Sequence, residues 1–288
     1  MPRRRLTSRR SRVPRIPFKS PLTRDQGASQ LSSGQKFLLG QIDPFDPQVI
    51  GGKIPDPNTT PSNSIVCQEV VTTTLTTGTN VKAWAFMPHV TNCFVESNEG
   101  ATSWTWPATF GGTSNSSRRT NFVANYELFR PVAHGIRIQS ALPPTSAQGF
   151  VHVAVPIEAF NNVSSWPWVT TPSGMTGYTW YRRIPIASLT ANPLVVVNKF
   201  LDHTAFRYIG ADTGNVGNAG PLEFHVPQQW GAIVIAVEGC NSTNPISVEV
   251  IFHSEAISKG DGLIRGSTAA PNDTSVLSAA SQVAANID

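Results

Sequence analysis

The chain has 288 residues, enough for one large domain or two small ones, and only 14% of them are charged against 40% hydrophobic. Soluble monomers carry about 25% charge, so a low value favours a subunit that buries surface against copies of itself. The 22 glycines and 23 prolines, with abundant Thr, Ser and Asn, favour short strands joined by turns over long helices. The net charge of +4 is unevenly placed. Residues 1–36 hold ten basic residues and one acid, +9, so the rest carries 22 − 10 = 12 basic and 18 − 1 = 17 acidic residues, or −5. Such asymmetry marks a nucleic-acid- or membrane-binding tail on a separate body. Cys67, Cys93 and Cys240 are scattered and odd in number, against a disulfide scaffold or a zinc site and in keeping with a reducing compartment. No apolar run approaches the roughly 18 residues of a transmembrane segment.

Residues 1–36 read as a disordered arm. Seven arginines, Arg3, Arg4, Arg5, Arg9, Arg10, Arg12 and Arg15, fall in the first fifteen positions, followed by Lys19 and Arg24. A guanidinium is a planar fork of donors that fits phosphate and keeps its charge. With no aromatic among positions 1–17, the contact expected is with phosphate and indifferent to base sequence. A mitochondrial transit peptide ranks second, because Pro2, Pro14, Pro17 and Pro21 would interrupt its amphipathic helix. A nuclear localisation signal would use the same residues and could coexist with nucleic-acid binding.

Residues 37–63 are rich in Pro, Gly and Asp and read as an irregular linker. Asp43, Asp46 and Asp56 are candidate Ca²⁺ ligands there, as hard oxygen donors on irregular backbone. Their spacing matches no defined loop, so plain Asp-Pro turns rank first.

From Ser64 the texture becomes that of strands, near 64–76, 81–87, 90–96, 121–129, 132–139, 149–155, 194–201, 204–209, 222–226, 231–238 and 246–254. In the last of these Ile246, Val248, Val250 and Phe252 alternate with Ser247, Glu249, Ile251 and His253, which gives one buried face and one more polar. Residues 231–237 are apolar throughout, as in a strand covered on both sides. No helical stretches alternate with the strands. The expected class is therefore all-β: a sandwich, jelly roll or barrel. The long segments 97–120 and 156–193 carry Trp104, Trp106, Trp166, Trp168 and Trp180 and read as functional or interface loops. Residues 258–288 read as a tail, with a weak helical stripe of Val276, Ala280, Val283 and Ile287 behind a cap at Asp273 or Thr274.

Catalytic signatures are missing from the sequence. There is no GxSxG, HExxH or P-loop. The glycines at 210, 214, 217 and 220 lack the Lys-Ser/Thr ending and precede Pro221, so an inter-strand loop ranks first. The six histidines stand singly, and Asp202-His203 would need a nucleophile that sequence does not place. The protein reads as no enzyme.

The stretches Trp230–Gly239 and Ile246–Glu255 resemble the last two strands of nodavirus- and tombusvirus-like coat proteins, where a VEVIxHxE strand closes the shell domain. Phe129–Ile138 with Gly149–Val155 resembles the central strand pair of that fold. The resemblance covers residues 64–257 and implies an eight-stranded antiparallel jelly roll of two packed sheets. It further implies self-assembly into an icosahedral T=3 shell, with the arms inside on a genome of RNA or single-stranded DNA; no cofactor is firmly expected, and Ca²⁺ at subunit interfaces rests on the three aspartates above. The location implied is the virion, and the host cytoplasm or nucleus during assembly. About thirty residues follow the last strand, so a separate protruding domain is not expected; Asn286 has only Ile287 and Asp288 beyond it, so the family's C-terminal self-cleavage is not expected unless this chain is itself the cleaved product. The competing reading is a carbohydrate-binding jelly roll with exposed tryptophans.

Overall fold

Alternating and doubly apolar strands require two covered faces, and the computed structural model arranges them as two packed sheets. It describes residues 31–72, 75, 81–88, 94–97, 104–105, 121–122, 124–156, 168–201, 203–210, 230–260 and 265–285. The strands are β1 (Asn63–Thr72), β2 (Val81–Phe86), β3 (Phe94–Ser97), β4 (Trp104–Thr105), β5 (Tyr126–Ser140), β6 (Phe150–Val155), β7 (Trp180–Pro185), β8 (Leu194–Val197), β9 (Ile209–Gly210), β10 (Ile233–Glu238) and β11 (Ile246–Ser258). One sheet runs β1-β11-β5-β8 with β9 on β5; the other runs β4-β3-β2-β10-β6-β7. All these pairings are antiparallel. β1, β11, β5 and β8 face β2, β10, β6 and β7, and the chain changes sheet between β1 and β2, β4 and β5, β5 and β6, β7 and β8, β9 and β10, and β10 and β11. That is the winding of an eight-stranded jelly roll, here with β3, β4 and β9 added.

The main core lies between the sheets. Ile136, Ile138, Val248 and Val250 from one pack against Trp84, Phe86, Val153, Ile233, Ile235 and Val237 from the other. β10 is covered on both sides, as its composition requires. Its other face, Ala232, Val234 and Ala236, packs under Met87, Trp104, Trp168 and Met175. Met175 comes from the one-turn helix Pro172–Met175, so part of the long segment 156–193 roofs the second sheet.

Several sequence expectations change. The runs at 121–129 and 132–139 form one strand, β5, which passes through Pro131. Ser254 pairs with Pro131 and His253 with Ala133, so Val132 is the extra residue of a bulge that accommodates the missing proline donor. The two recognised strand pairs, 129–138 with 149–155 and 230–239 with 246–255, face each other across the sandwich and are not hydrogen-bonded partners. β4 and β7 arise inside segments read as loops, and residues 204–209 are mostly a 3₁₀ turn, His203–Phe206. The run at 222–226 lies outside the described residues.

The segment read as an irregular linker needs the largest correction. Helix α1 spans Ser33–Gly40. Ser32 and Gln35 close a reciprocal capping box at its start, with Gln35 N donating to Ser32 Oγ at 3.2 Å and Ser32 N to Gln35 Oε1 at 2.9 Å. Phe37, Val49 and Ile54 are 0%, 0% and 1% exposed, so residues 37–56 contribute to a core. The C-terminal helix Thr274–Ala285 packs with them. Asp273 caps it through Ser275 N and Val276 N. Its buried side is Ala280 and Ala284 with Val276 and Leu277 partly covered, a rotated version of the expected stripe. None of the helices among the described residues is long and apolar enough to cross a membrane.

His134 lies on β5 opposite Phe252, completely buried, with no hydrogen-bond partner for either ring nitrogen. Burial pushes its pKa down to about 3 from an ordinary 6.5. The unfolded chain therefore binds a proton between these values that the fold refuses. The stability involved is fully present above pH 6.5 and is lost as pH falls towards about 3. His134→Leu should flatten this loss. Chemical denaturation at pH 4.5 should find the variant on the order of 2 kcal/mol less acid-sensitive than the parent, relative to pH 7.

Candidate assembly and genome-binding elements

The sequence-predicted phosphate ligands Arg3, Arg4, Arg5, Arg9, Arg10, Arg12, Arg15, Lys19 and Arg24 lie outside the described residues. The compact unit that holds both sheets starts at Leu31, so residues 31–36, read from composition as part of the arm, belong to the body. The capping box at Ser32 fixes the start of α1.

Residues 41–56 then lie as a strap across the outer face of β5 and β11. Gln41 Nε2 donates to Val132 O at 2.6 Å, which satisfies a carbonyl freed by the bulge. Pro44 sits on Gly135, where a Cβ would come within 2.6 Å of Pro44 Cγ; only glycine leaves that seat open. Phe45 stacks on the Arg137 guanidinium at 4.3 Å. The strap explains why the alternation in β11 stops. Its outer residues Ser247 and Glu249 are half-buried, but Ile251, His253 and Glu255 are buried beneath added chain.

At the far end of the strap is a buried charge cluster. The Arg130 side chain is 2% exposed and that of Glu255 1%, with their nitrogen and oxygen 2.8 Å apart. Arg130 also donates to both carboxylate oxygens of Asp56, at 2.5 and 3.2 Å, and to Phe206 O at 3.1 Å. Its guanidinium lies 4.4 Å from the Tyr208 ring centroid. Glu255 accepts in addition from Ser62 Oγ at 2.5 Å and Ile54 N at 3.2 Å. Burial would discharge Arg130, but the Asp56 hydrogen bond and the Glu255 charge outweigh it and hold the arginine above its usual range. Burial likewise raises Tyr208. Lys53 Nζ lies among Ser62 O, Thr268 O, Ser267 Oγ and Ser267 O at 2.6 to 3.2 Å. Burial pushes it below the usual lysine range, Glu255 opposes that and Arg130 adds to it.

The three candidate Ca²⁺ ligands are not brought together. Asp43 accepts from Phe45 N and Asp46 from Gln48 N, the turn role. Asp56 faces Arg130, a fixed cation in the place of the candidate metal ion. Among the described residues no three His, Cys, Asp or Glu side chains form a metal-ion group. Arg130 and Glu255 were missed as a site because they lie 125 positions apart and sequence alone gives no register. Trp104 and Trp168 are 9% and 3% exposed and bond to each other, Trp104 Nε1 donating to Trp168 O at 2.7 Å. Trp106 and Trp166, Asp202 and the glycines from 214 to 220 lie outside the described residues.

No family model matches the chain, and no curated protein does. Solved structures do. VP2 of infectious bursal disease virus, in its subviral particle, is 8% identical over 80% of this chain and 89% of that one, with a TM-score of 0.52. Tobacco necrosis virus is 13% identical over 69% and 97%, TM-score 0.41. Cocksfoot mottle virus is 12% identical over 68% and 94%, TM-score 0.41. The VP2 likeness shows the fold alone: a jelly roll of two packed antiparallel sheets, the architecture that the strand motifs resemble.

Two outcomes follow from the buried cluster and the strap. Arg130→Met leaves Glu255 and Asp56 without their cation and should cost about 3–5 kcal/mol in chemical denaturation, part of which Glu255→Leu in the same chain should restore. Deleting residues 1–30 should leave the circular dichroism spectrum and melting transition of the body unchanged. Deleting 1–63 should instead lower the melting temperature sharply, because it uncovers Phe200, Phe206 and Trp230 and removes Asp56 from Arg130.

Proposed function

We propose that this chain is the coat protein of a small icosahedral virus. Copies of it assemble into a shell, T=3 on the tombusvirus-like resemblance, and the arginine-rich arm packages a single-stranded RNA or DNA genome through its phosphates. The observation that carries the reading is the jelly roll of two packed sheets, which the chain shares with VP2 at a TM-score of 0.52. The charge distribution supports it. Residues 1–30 carry nine basic residues and one acid, +8, ahead of a body with 22 − 9 = 13 basic and 18 − 1 = 17 acidic residues, −4. Such a body has little electrostatic reason to hold a polyanion, and the arm has every reason to do so. The chain acts as a structural protein of the virion, made and assembled in the host cytoplasm or nucleus. Of the tryptophans a carbohydrate-binding role would rest on, Trp104 and Trp168 are packing residues and not an open aromatic platform.

Electron microscopy of the purified full-length protein tests the assembly, with uniform spherical particles expected; a monodisperse monomer at every salt concentration would sink the proposal. Replacing Arg3, Arg4, Arg5, Arg9, Arg10, Arg12 and Arg15 by Gln should leave the thermal transition of the body in place and abolish most genome packaging. The arm as a peptide should bind single strands with a log–log salt slope of roughly −5 for seven contacts and no sequence preference. A salt-independent affinity would contradict the phosphate mechanism.

A further inference from the structure

The strap is held to the sheet through side chains, and one of its fasteners is a histidine. His253 Nε2 lies 2.7 Å from Pro44 O. A carbonyl can only accept, so Nε2 carries the hydrogen, and Nδ1 of the neutral ring is left as an acceptor. That Nδ1 is buried with no hydrogen-bond partner, in a residue 1% exposed. A second proton would have to go there, on a dry face with nothing to receive it.

The charged groups around this point are already committed elsewhere. On the strap, Asp43 and Asp46 cap their own turns. On β5 and β11, Arg137 pairs with Glu249 at 3.0 Å, and Arg130 with Glu255 and Asp56. Lys36 on α1 donates to Ile50 O and Lys199 to Gln41 O. On β1 the residue opposite is Val66. His134 belongs to the other face of the sheet, since it pairs with Phe252 and His253 with Ala133. The strap also carries a hinge. Gly51 has φ +87°, a conformation natural to glycine, and Gly52 follows. Beyond them Lys53, Ile54 and Asp56 are fixed by the buried cluster.

We propose that residues 41–50 form an acid-operated latch, in which protonation of His253 lifts the segment from β5 and β11 about the Gly51-Gly52 hinge. Lifting gives the ring access to water and uncovers Val49, which is 0% exposed in the closed state. Burial holds the closed-state imidazole below the usual histidine range, with the Pro44 bond opposing. The lifted state therefore binds more protons below the free-ring value, and its population rises as pH falls. The latch belongs to the single subunit and stands whether or not the coat-protein reading does.

Hydrogen exchange of the full-length protein at pH 7.5 and pH 5, corrected for intrinsic exchange, tests it. Protection of the amides of residues 43–50 should fall by about tenfold or more at pH 5, while β6 and β10 stay protected. His253→Gln retains an amide that can donate to Pro44 O and cannot be charged, so its strap should stay protected at both values. Gly135→Ala, which pushes against Pro44, should open the strap already at pH 7.5. Equal strap protection in the parent at both pH values overturns the latch. So does an H253Q strap that opens like the parent's, or loss of protection in β6 and β10 together with the strap, which is global unfolding.

Discussion

Glu255 and Arg130 are nearly inaccessible to water, and neither could be left there alone. Transferring one such ion into a dry interior costs several kcal/mol even after relaxation, which only a close counter-charge and filled hydrogen bonds offset. The pair spans β5 and β11, and the remaining donors and acceptors of each are filled by Asp56, Ser62, Ile54 N and Phe206 O. Four separate stretches of chain must therefore arrive together before either charge is satisfied. A hydrophobic replacement could be as stable. What the charged version adds is a single permitted register for the strap on the sheet.

That register determines what the rest of the face can do. With Asp56 fixed to Arg130, Ile54 is buried in the cluster that also holds Phe37, Phe206 and Trp230. Phe37 stands edge-on to Phe206 with centroids 5.6 Å apart, and Phe200 lies 4.7 Å from the same ring. The C-terminal helix closes this cluster with alanines, which allow its backbone close to α1. Lys53 ties the strap to Ser267 and Thr268 just ahead of that helix. The N-terminal and C-terminal segments of the body are thus fastened at one place by the same cation.

Nine cations beside a single acid in residues 1–30 repel one another unless a polyanion neutralises them, which is the ground of the proposed arm. The strands read at 231–238 and 246–254 were legible because burial writes itself into composition: β10 is apolar at every position that both cores touch, and β11 alternates where only one side is covered. The strap was not. Phe37, Val49 and Ile54 fall at no helical or strand period, and their burial depends on a bulge at Val132 and a glycine at 135 that lie some ninety positions away. β5 was split in two because Pro131 normally ends a strand, and only the register shift opposite His253 shows how it is tolerated. The partner of Asp56 was hidden for a related reason. A carboxylate on irregular chain attracts a cation, but sequence does not say whether that cation is a metal ion or the guanidinium of a distant arginine.

The low charge of the body fits the same logic. A jelly roll presents two outer faces, and in this chain both carry added cover: the Trp104, Trp168 and Met175 layer on one sheet, the strap and terminal helices on the other. Covering a sheet twice consumes apolar residues that an uncovered sheet would replace with charged ones. Some of the low charge content is therefore explained within one subunit, before any neighbour is considered. What the cover does not reach is more telling. Val70 is 64% exposed and Val195 41%, and they sit in one cross-strand row with Glu249 and Arg137. The two bare valines flank the Glu249–Arg137 ion pair, so the row beyond Phe45 has a charged centre and apolar ends that nothing in the described subunit covers.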